Sequence, residues 1–271
     1  MTAIDSAALP LPDDVMRLNL SDCHNIAFLS DVHLEQSHYS TYLAWSNHLK
    51  SLRADALFIL GDLFEVWLGD DYLQHPSADF ERQCLADIHT VSERMPVYWM
   101  VGNRDFLLDT QACQSAGMRP VTDPCVVMTS QENWLLSHGD ALCLDDTAYQ
   151  AYRREIRSSE WITRLKNTSL NERMALAKEL KAQSQLSKSQ NTLWADVDDK
   201  AALHWMDATQ TTVMIHGHTH RPREHQLSPN HQRIVLSDWD AKADPQRLQS
   251  MQWTSGQGFR RQTLTVPDVS N

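Results

Sequence analysis

The sequence predicts an α/β fold: a mixed, two-sheet sandwich flanked by helices, with a helical cap inserted into it. Three observations carry this. Short apolar runs recur along the chain, and each ends in a polar motif. Helix-like segments separate them, as layered α/β folds require. A charge-rich, largely helical stretch then interrupts the alternation.

Taken in order, the first regular strand is expected at Asn25 to Ser30, an apolar run that stops at Asp31-Val32-His33. The pattern repeats as Ala56 to Leu60 meets Gly61-Asp62, and as Val97 to Val101 meets Gly102-Asn103-Arg104-Asp105. Trp134 to Leu136 runs into Ser137-His138-Gly139-Asp140, and Thr212 to Ile215 into His216-Gly217-His218. Helices are expected over Tyr39 to Leu52, Ala78 to Arg94 and Thr110 to Ala116. Ligands of such folds collect beyond the carboxyl ends of strands, where these motifs fall. Asp145 to Asp207 reads as the cap, with helices at Tyr149 to Arg157, Asn171 to Lys181 and Leu193 to Trp205. Trp161, Leu165, Leu170, Met174, Leu176 and Leu180 are spaced for one apolar face. The expected organisation is an N-terminal extension over 1–24, a core over 25–144 and 208–271, and the cap over 145–207.

Composition narrows the class. Of 271 residues, 42% are hydrophobic and 22% charged, which suits a folded globular chain. A net charge of −11 disfavours nucleic acid, whose backbone is bound by clustered Lys and Arg. The five cysteines are widely spaced with no CxxC pair, so reduced thiols in the cytoplasm are expected. Met1 to Asp22 lacks a basic n-region and an apolar h-region, and no secretion signal is expected. No stretch approaches the ~20 apolar residues that span a bilayer, so any membrane contact is expected to be peripheral.

The strand-end motifs carry the chemistry. Asp31 and His33 lie two residues apart, so strand geometry points both side chains the same way. Asp62 follows Gly61, which permits a tight turn, and reads either as a carboxylate held between two ions or as a helix N-cap. Asn103 offers a neutral oxygen ligand, Arg104 a guanidinium for phosphate oxygens, and Asp105 a carboxylate to orient either. His138, His216 and His218 supply imidazoles of the kind that bind Mn, Fe, Zn or Co.

The order DxH, GD, GNxD, HGD, HGHTH resembles that of the calcineurin-like metallophosphoesterases. The resemblance implies two divalent metal ions, Asp31, His33, Asp62 and His218 on one, and Asp62, Asn103, His138 and His216 on the other. Asp62 would bridge them. The longer words Leu60-Gly61-Asp62-Leu63-Phe64-Glu65-Val66-Trp67-Leu68-Gly69-Asp70-Asp71, Gly102 to Leu108, His138 to Arg153 and His216 to Pro222 resemble the UDP-2,3-diacylglucosamine diphosphatases of lipid A biosynthesis. The likeness spans about residues 25 to 240.

That resemblance implies hydrolysis at the α-phosphorus by a metal-bound hydroxide, giving UMP and 2,3-diacylglucosamine 1-phosphate, with Mn2+ as the expected metal. It implies substrate contacts from Asn103, Arg104, Asp146, Tyr149, Ser184, Lys188 and His216. It also implies a cytoplasmic enzyme, peripheral on the cytoplasmic face of the inner membrane, with no protein partner expected. Arg104 stands where many superfamily members carry His. A phosphate monoester leaves more readily than an alkoxide, so charge neutralisation matters more than protonation. The cap's apolar stripe either houses acyl chains or seals the cap to the core. The family's His-Thr-Glu-Gly after Trp239 is here Asp240-Ala241-Lys242-Ala243. The competing reading is a related phosphodiesterase or nucleotide pyrophosphatase with a soluble substrate.

Overall fold

A computed structural model describes residues 9–179 and 195–266. In chain order the strands are β1 (Met16–Asn19), β2 (Asn25–Leu29), β3 (Ala56–Leu60), β4 (Val97–Met100), β5 (Met118–Val121), β6 (Cys125–Met128), β7 (Asn133–Ser137), β8 (Val213–His216), β9 (Arg223–Ser228), β10 (His231–Val235), β11 (Gln249–Thr254) and β12 (Gly258–Thr263). They form two six-stranded sheets, ordered β12-β11-β2-β3-β4-β5 and β1-β6-β7-β8-β10-β9.

In the first sheet β2, β3, β4 and β5 are parallel, linked by α1 (Tyr39–Ser51), α2 (Asp79–Ser92) and α3 (Thr110–Ala116). In β2, β3 and β4 the side chains alternate between two hydrophobic layers, which is why those runs are apolar at nearly every position. Ala27, Leu29, Leu57 and Ile59 face the helices with Trp45, Leu85 and Ile88. Ile26, Phe28, Phe58 and Leu60, with Trp253 of β11, face the other sheet, meeting Trp134, Leu136 and Ile215. Antiparallel strand pairs are β6 with β7, β9 with β10, and β11 with its neighbours β2 and β12.

The second sheet is covered on its outer face by α7 (Asp199–Thr209), whose Ala201, Ala202, Trp205 and Met206 pack with Val126, Leu135 and Met214. Between β7 and α7 lie α4 (Thr147–Ile156), α5 (Ser159–Lys166) and a helix described over 170–179 (α6). Asp146, Ser158 and Asp198 cap α4, α5 and α7, their side chains accepting from backbone N–H groups of the first turn.

The structure corrects the expected boundaries in three places. Residues 16–19 are not an extension; they form β1, the edge strand beside β6. The helix expected from Leu193 starts at Asp199, because Asp198 caps it and 195–198 are irregular. Residues 193 and 194 lie outside the described residues. Although it begins within 145–207, α7 is a core layer and not part of the cap. Leu180 and the end of the expected Asn171 to Lys181 helix also fall outside the described residues.

Candidate active site

The loops after β2, β3, β4, β7 and β8 meet at one edge of the sandwich. Parallel pairing continues past the strands: Asp31 N donates to Gly61 O, His33 N to Asp62 O and Leu34 N to Leu63 O. Left-handed backbone is costly for residues with a Cβ and concentrates where function demands it. Among the described residues the non-glycine positions of this kind are Asp31, His33, Asp62, Gln210, His218 and His220. All but Gln210 stand in these loops.

Asp31 and Asp62 are buried, and both sit among imidazoles. Asp62 Oδ1 lies 3.7 Å from His138 Nε2, and Asp62 Oδ2 lies 3.9 Å from His33 Nε2, so the two oxygens face different histidines. The Asn103 amide oxygen is 3.0 Å from His138 Nε2 and 2.9 Å from His218 Nδ1. Donor atoms of Asp31, Asp62 and His138 lie within 4.8 Å of one another, and so do those of Asp31, His33 and His220. Two adjoining groups of carboxylate oxygens and imidazole nitrogens that share Asp31 fit a pair of divalent cations.

Electrostatics agree with that fit. Burial disfavours a charged His138, yet Asp62, Asp140 and Asp31 outweigh it and hold the group up at about 9. The cluster of carboxylates therefore draws positive charge inward. His216 and His218 are driven the other way, to about 3 and about 4, by burial first and then by Arg233 and His138 respectively. Neutral imidazole is the form that binds metal. Burial raises Asp31, but the His220 hydrogen bond and the nearby histidine charges leave it well below the ordinary carboxylate value.

The structure brings Asp31, His33, Asp62, Asn103, His138 and His218 together, with one rearrangement. His218 stands beside Asn103 and His138, while His220 takes the place next to Asp31, 3.4 Å from Oδ1, and next to His33, 3.2 Å from Nε2. His216 is adjacent but faces elsewhere, with Nδ1 2.8 Å from Gly217 O and Nε2 3.2 Å from Arg233 Nη1. Arg104 lies on the same loop, its backbone N donating to Asp62 Oδ1 at 2.8 Å. The Tyr149 ring stacks on His218 at 5.6 Å and its hydroxyl donates to Asp140. Asp146 is exposed and uses its carboxylate to cap α4. Ser184 and Lys188 lie outside the described residues, as does the neighbouring Ser187.

Several supporting residues, some of them inside the motifs, were given no role by the motif reading. His220 stands inside the HGHTH word, two residues after His218 as His33 is after Asp31, and all four have left-handed backbone. Glu65 Oε2 sits 3.0 Å from His33 Nδ1, a placement no local pattern announces. Asp140 is fully buried and ion-pairs with Arg153 at 2.8 Å, which joins the HGD loop to α4. Asp105 accepts from Gly102 N and Leu63 N at 2.8 Å each, holding the backbone of two loops and not the Asn103 or Arg104 side chain it was expected to orient. Burial and the nearby Asp62 push its carboxyl up to about 6.

The family model for calcineurin-like phosphoesterases matches residues 24–222. The chain belongs to that family. Among curated relatives of this phosphoesterase, the UDP-2,3-diacylglucosamine hydrolase of Chromobacterium violaceum is 39% identical over 227 residues, covering 79% of this chain and 90% of its own. The protein of the same name from Shewanella pealeana is 38% identical over 216 residues, covering 78% and 89%. That of Stenotrophomonas maltophilia is 36% identical over 241 residues, covering 84% and 96%. Membership of the calcineurin-like phosphoesterases implies a dinuclear divalent-metal site, and the two donor groups sharing Asp31 are its candidates here.

Proposed function

We propose that this phosphoesterase hydrolyses the pyrophosphate of UDP-2,3-diacylglucosamine at the α-phosphorus, giving UMP and 2,3-diacylglucosamine 1-phosphate in lipid A biosynthesis. The observation that carries this reading is the 39% identity to a UDP-2,3-diacylglucosamine hydrolase across nine-tenths of that protein, together with a site able to serve it.

Asp31, His33, Asp62, Asn103, His138 and His218 would hold the two cations, Mn2+ in our reading, with His220 beside them. The inclusion of His216 rests on the family pattern. Bound divalent ions supply Lewis acidity and an activated water for attack on phosphorus. Asp62 has one oxygen toward His33 and the other toward His138, which supports the reading that it would serve both ions beside Asp31, the carboxylate common to the two donor groups. Arg104 binds phosphate oxygens as negative charge builds on them, and cannot serve as a metal ligand because guanidinium has no lone pair to give. The leaving group is a phosphate monoester, so charge neutralisation suffices without a general acid. Water contributes its oxygen to UMP, and the bridging oxygen departs with the sugar phosphate.

The acyl chains need apolar surface, and Tyr152, Met174 and Val66 are large hydrophobic side chains that remain exposed on the cap and on the loop after β3. Among the described residues no helix is long and apolar enough to cross a membrane. The lipid substrate would be met at the cytoplasmic face of the inner membrane by peripheral contact. The test compares kcat/KM for UDP-2,3-diacylglucosamine with that for UDP-N-acetylglucosamine, which has the same pyrophosphate but no long acyl chains. We expect a preference of at least about a hundredfold for the diacylated compound, a few buried methylenes at ~0.8 kcal/mol each. Equal turnover of both would support a soluble substrate instead.

A further inference from the structure

We infer that Arg157, the C-cap residue that follows α4, positions the loop carrying Asn103 and Arg104 by holding the carbonyl of Gly102. The inference rests on the two-cation reading of the site and adds to it a residue that no motif contains. Arg157 Nη2 donates to Gly102 O at 2.8 Å and lies 3.6 Å from Asp140 Oδ2. Its guanidinium carbon sits 5.8 Å above the Phe106 ring, which in turn lies 5.8 Å from the Trp161 ring. One side chain thus touches both ends of the loop, at Gly102 and at Phe106, and also reaches the HGD carboxylate.

Gly102 is where a small displacement matters most. A Cβ built there would overlap Asp62 Oδ1 and Asp62 N, so the backbone of Gly102 lies directly against the candidate bridging carboxylate. On the same loop Arg104 N donates to Asp62 Oδ1, and Asn103 Oδ1 stands between His138 and His218. Releasing the Gly102 carbonyl would loosen Asp62 and Asn103 together. Arg157 is four-fifths buried on its side chain, so its hydrogen bond to the carbonyl is only partly exposed to competing water. Partners that orient ligands in this way are typically worth 10–100-fold in metal affinity or activity.

The experiment compares Arg157→Ala with Arg157→Gln, which keeps an N–H donor for the carbonyl. Each variant is assayed on UDP-2,3-diacylglucosamine and on bis(p-nitrophenyl) phosphate, and its Mn2+ affinity is measured by titration calorimetry. We expect Arg157→Ala to lower kcat about 10–100-fold on both substrates, and Mn2+ affinity about tenfold. KM for the lipid substrate should stay within about threefold of wild type, and Arg157→Gln should recover most of kcat. Loss confined to the diacylated substrate and expressed in KM would overturn the inference, making Arg157 a substrate contact. Unchanged kcat and Mn2+ affinity would overturn it as well. If Arg157→Ala does not fold, Arg157→Met, of similar length and without a donor, replaces it in the comparison with Arg157→Gln. Wild-type protein that cleaves the small diester but not the lipid would defeat the proposed substrate alone, and the Arg157 comparison on the diester would still decide this point.

Discussion

Gly102 lies so close to Asp62 that a methyl group on it would stand 2.9 Å from Asp62 Cγ and nearer still to Oδ1. The glycine of GNRD is therefore a spacer for the candidate metal site. Gly102→Ala should lower Mn2+ content and reduce turnover by about a hundredfold or more, because Asp62 must shift to admit the side chain. Metal analysis and rate are measured on the same preparation. Full metal content with a normal rate would mean that the loop absorbs the methyl group elsewhere.

Arg104 should separate binding of phosphate from binding of metal. Arg104→Ala is expected to keep both ions while kcat/KM falls about a hundredfold, roughly 2.7 kcal/mol on the scale of lost oxyanion donors. Loss of metal, or an unaltered rate, contradicts the assignment.

The cap should govern choice of substrate. Of the apolar stripe, Leu165 packs on the core cluster that includes α2, and the Trp161 ring lies 5.8 Å from that of Phe106, which packs on the same cluster. We propose instead that the exposed Tyr152 and Met174 face the acyl chains. Replacing both by Asp is expected to cut kcat/KM on the diacylated substrate at least tenfold, with little change on bis(p-nitrophenyl) phosphate. Equal losses on the two substrates, with folding verified by circular dichroism, would make this cap surface structural.

The pH dependence of stability should report how the cap is held. Buried Arg173 of α6 donates to Asp71 Oδ1 at 2.8 Å and also to Asp71 Oδ2 and to the Leu68 carbonyl. That hydrogen bond outweighs desolvation and holds the Asp71 carboxyl below its ordinary value. A group whose folded value is depressed stabilises fully above the unfolded value, near 4, and loses its contribution as pH falls through the folded one. Tm of the wild type should therefore fall more than that of Asp71→Asn between about pH 6 and pH 3. Parallel falls would show that the pair contributes nothing measurable.

Much of this was legible in the chain because buried parallel strands write themselves as unbroken apolar runs. β3 is Ala56–Leu60, the run as read, and the helices α1, α2 and α3 lie within two residues of their expected ends. The edges were harder. β1 alternates between half-buried and exposed over four residues, β5 carries Pro120, and β9 is mostly polar with no buried residue, so none has a core-strand pattern. At the site, the DxH and GNxD residues share a local motif, whereas Glu65 beside His33, and Arg153 and Arg157 beside Asp140, are contacts between separate elements. A motif reports its own loop and is silent about what leans on it.

The central claim is that this site opens the pyrophosphate at its α-phosphorus, and the most direct test is the fate of the solvent oxygen. Metal-loaded protein is incubated with UDP-2,3-diacylglucosamine in 18O-labelled water, and the products are weighed by mass spectrometry. We expect one 18O atom in UMP and none in 2,3-diacylglucosamine 1-phosphate, with the release abolished by chelation and by Asp62→Ala. Label in the sugar phosphate, or UMP release that survives both chelation and Asp62→Ala, would contradict it.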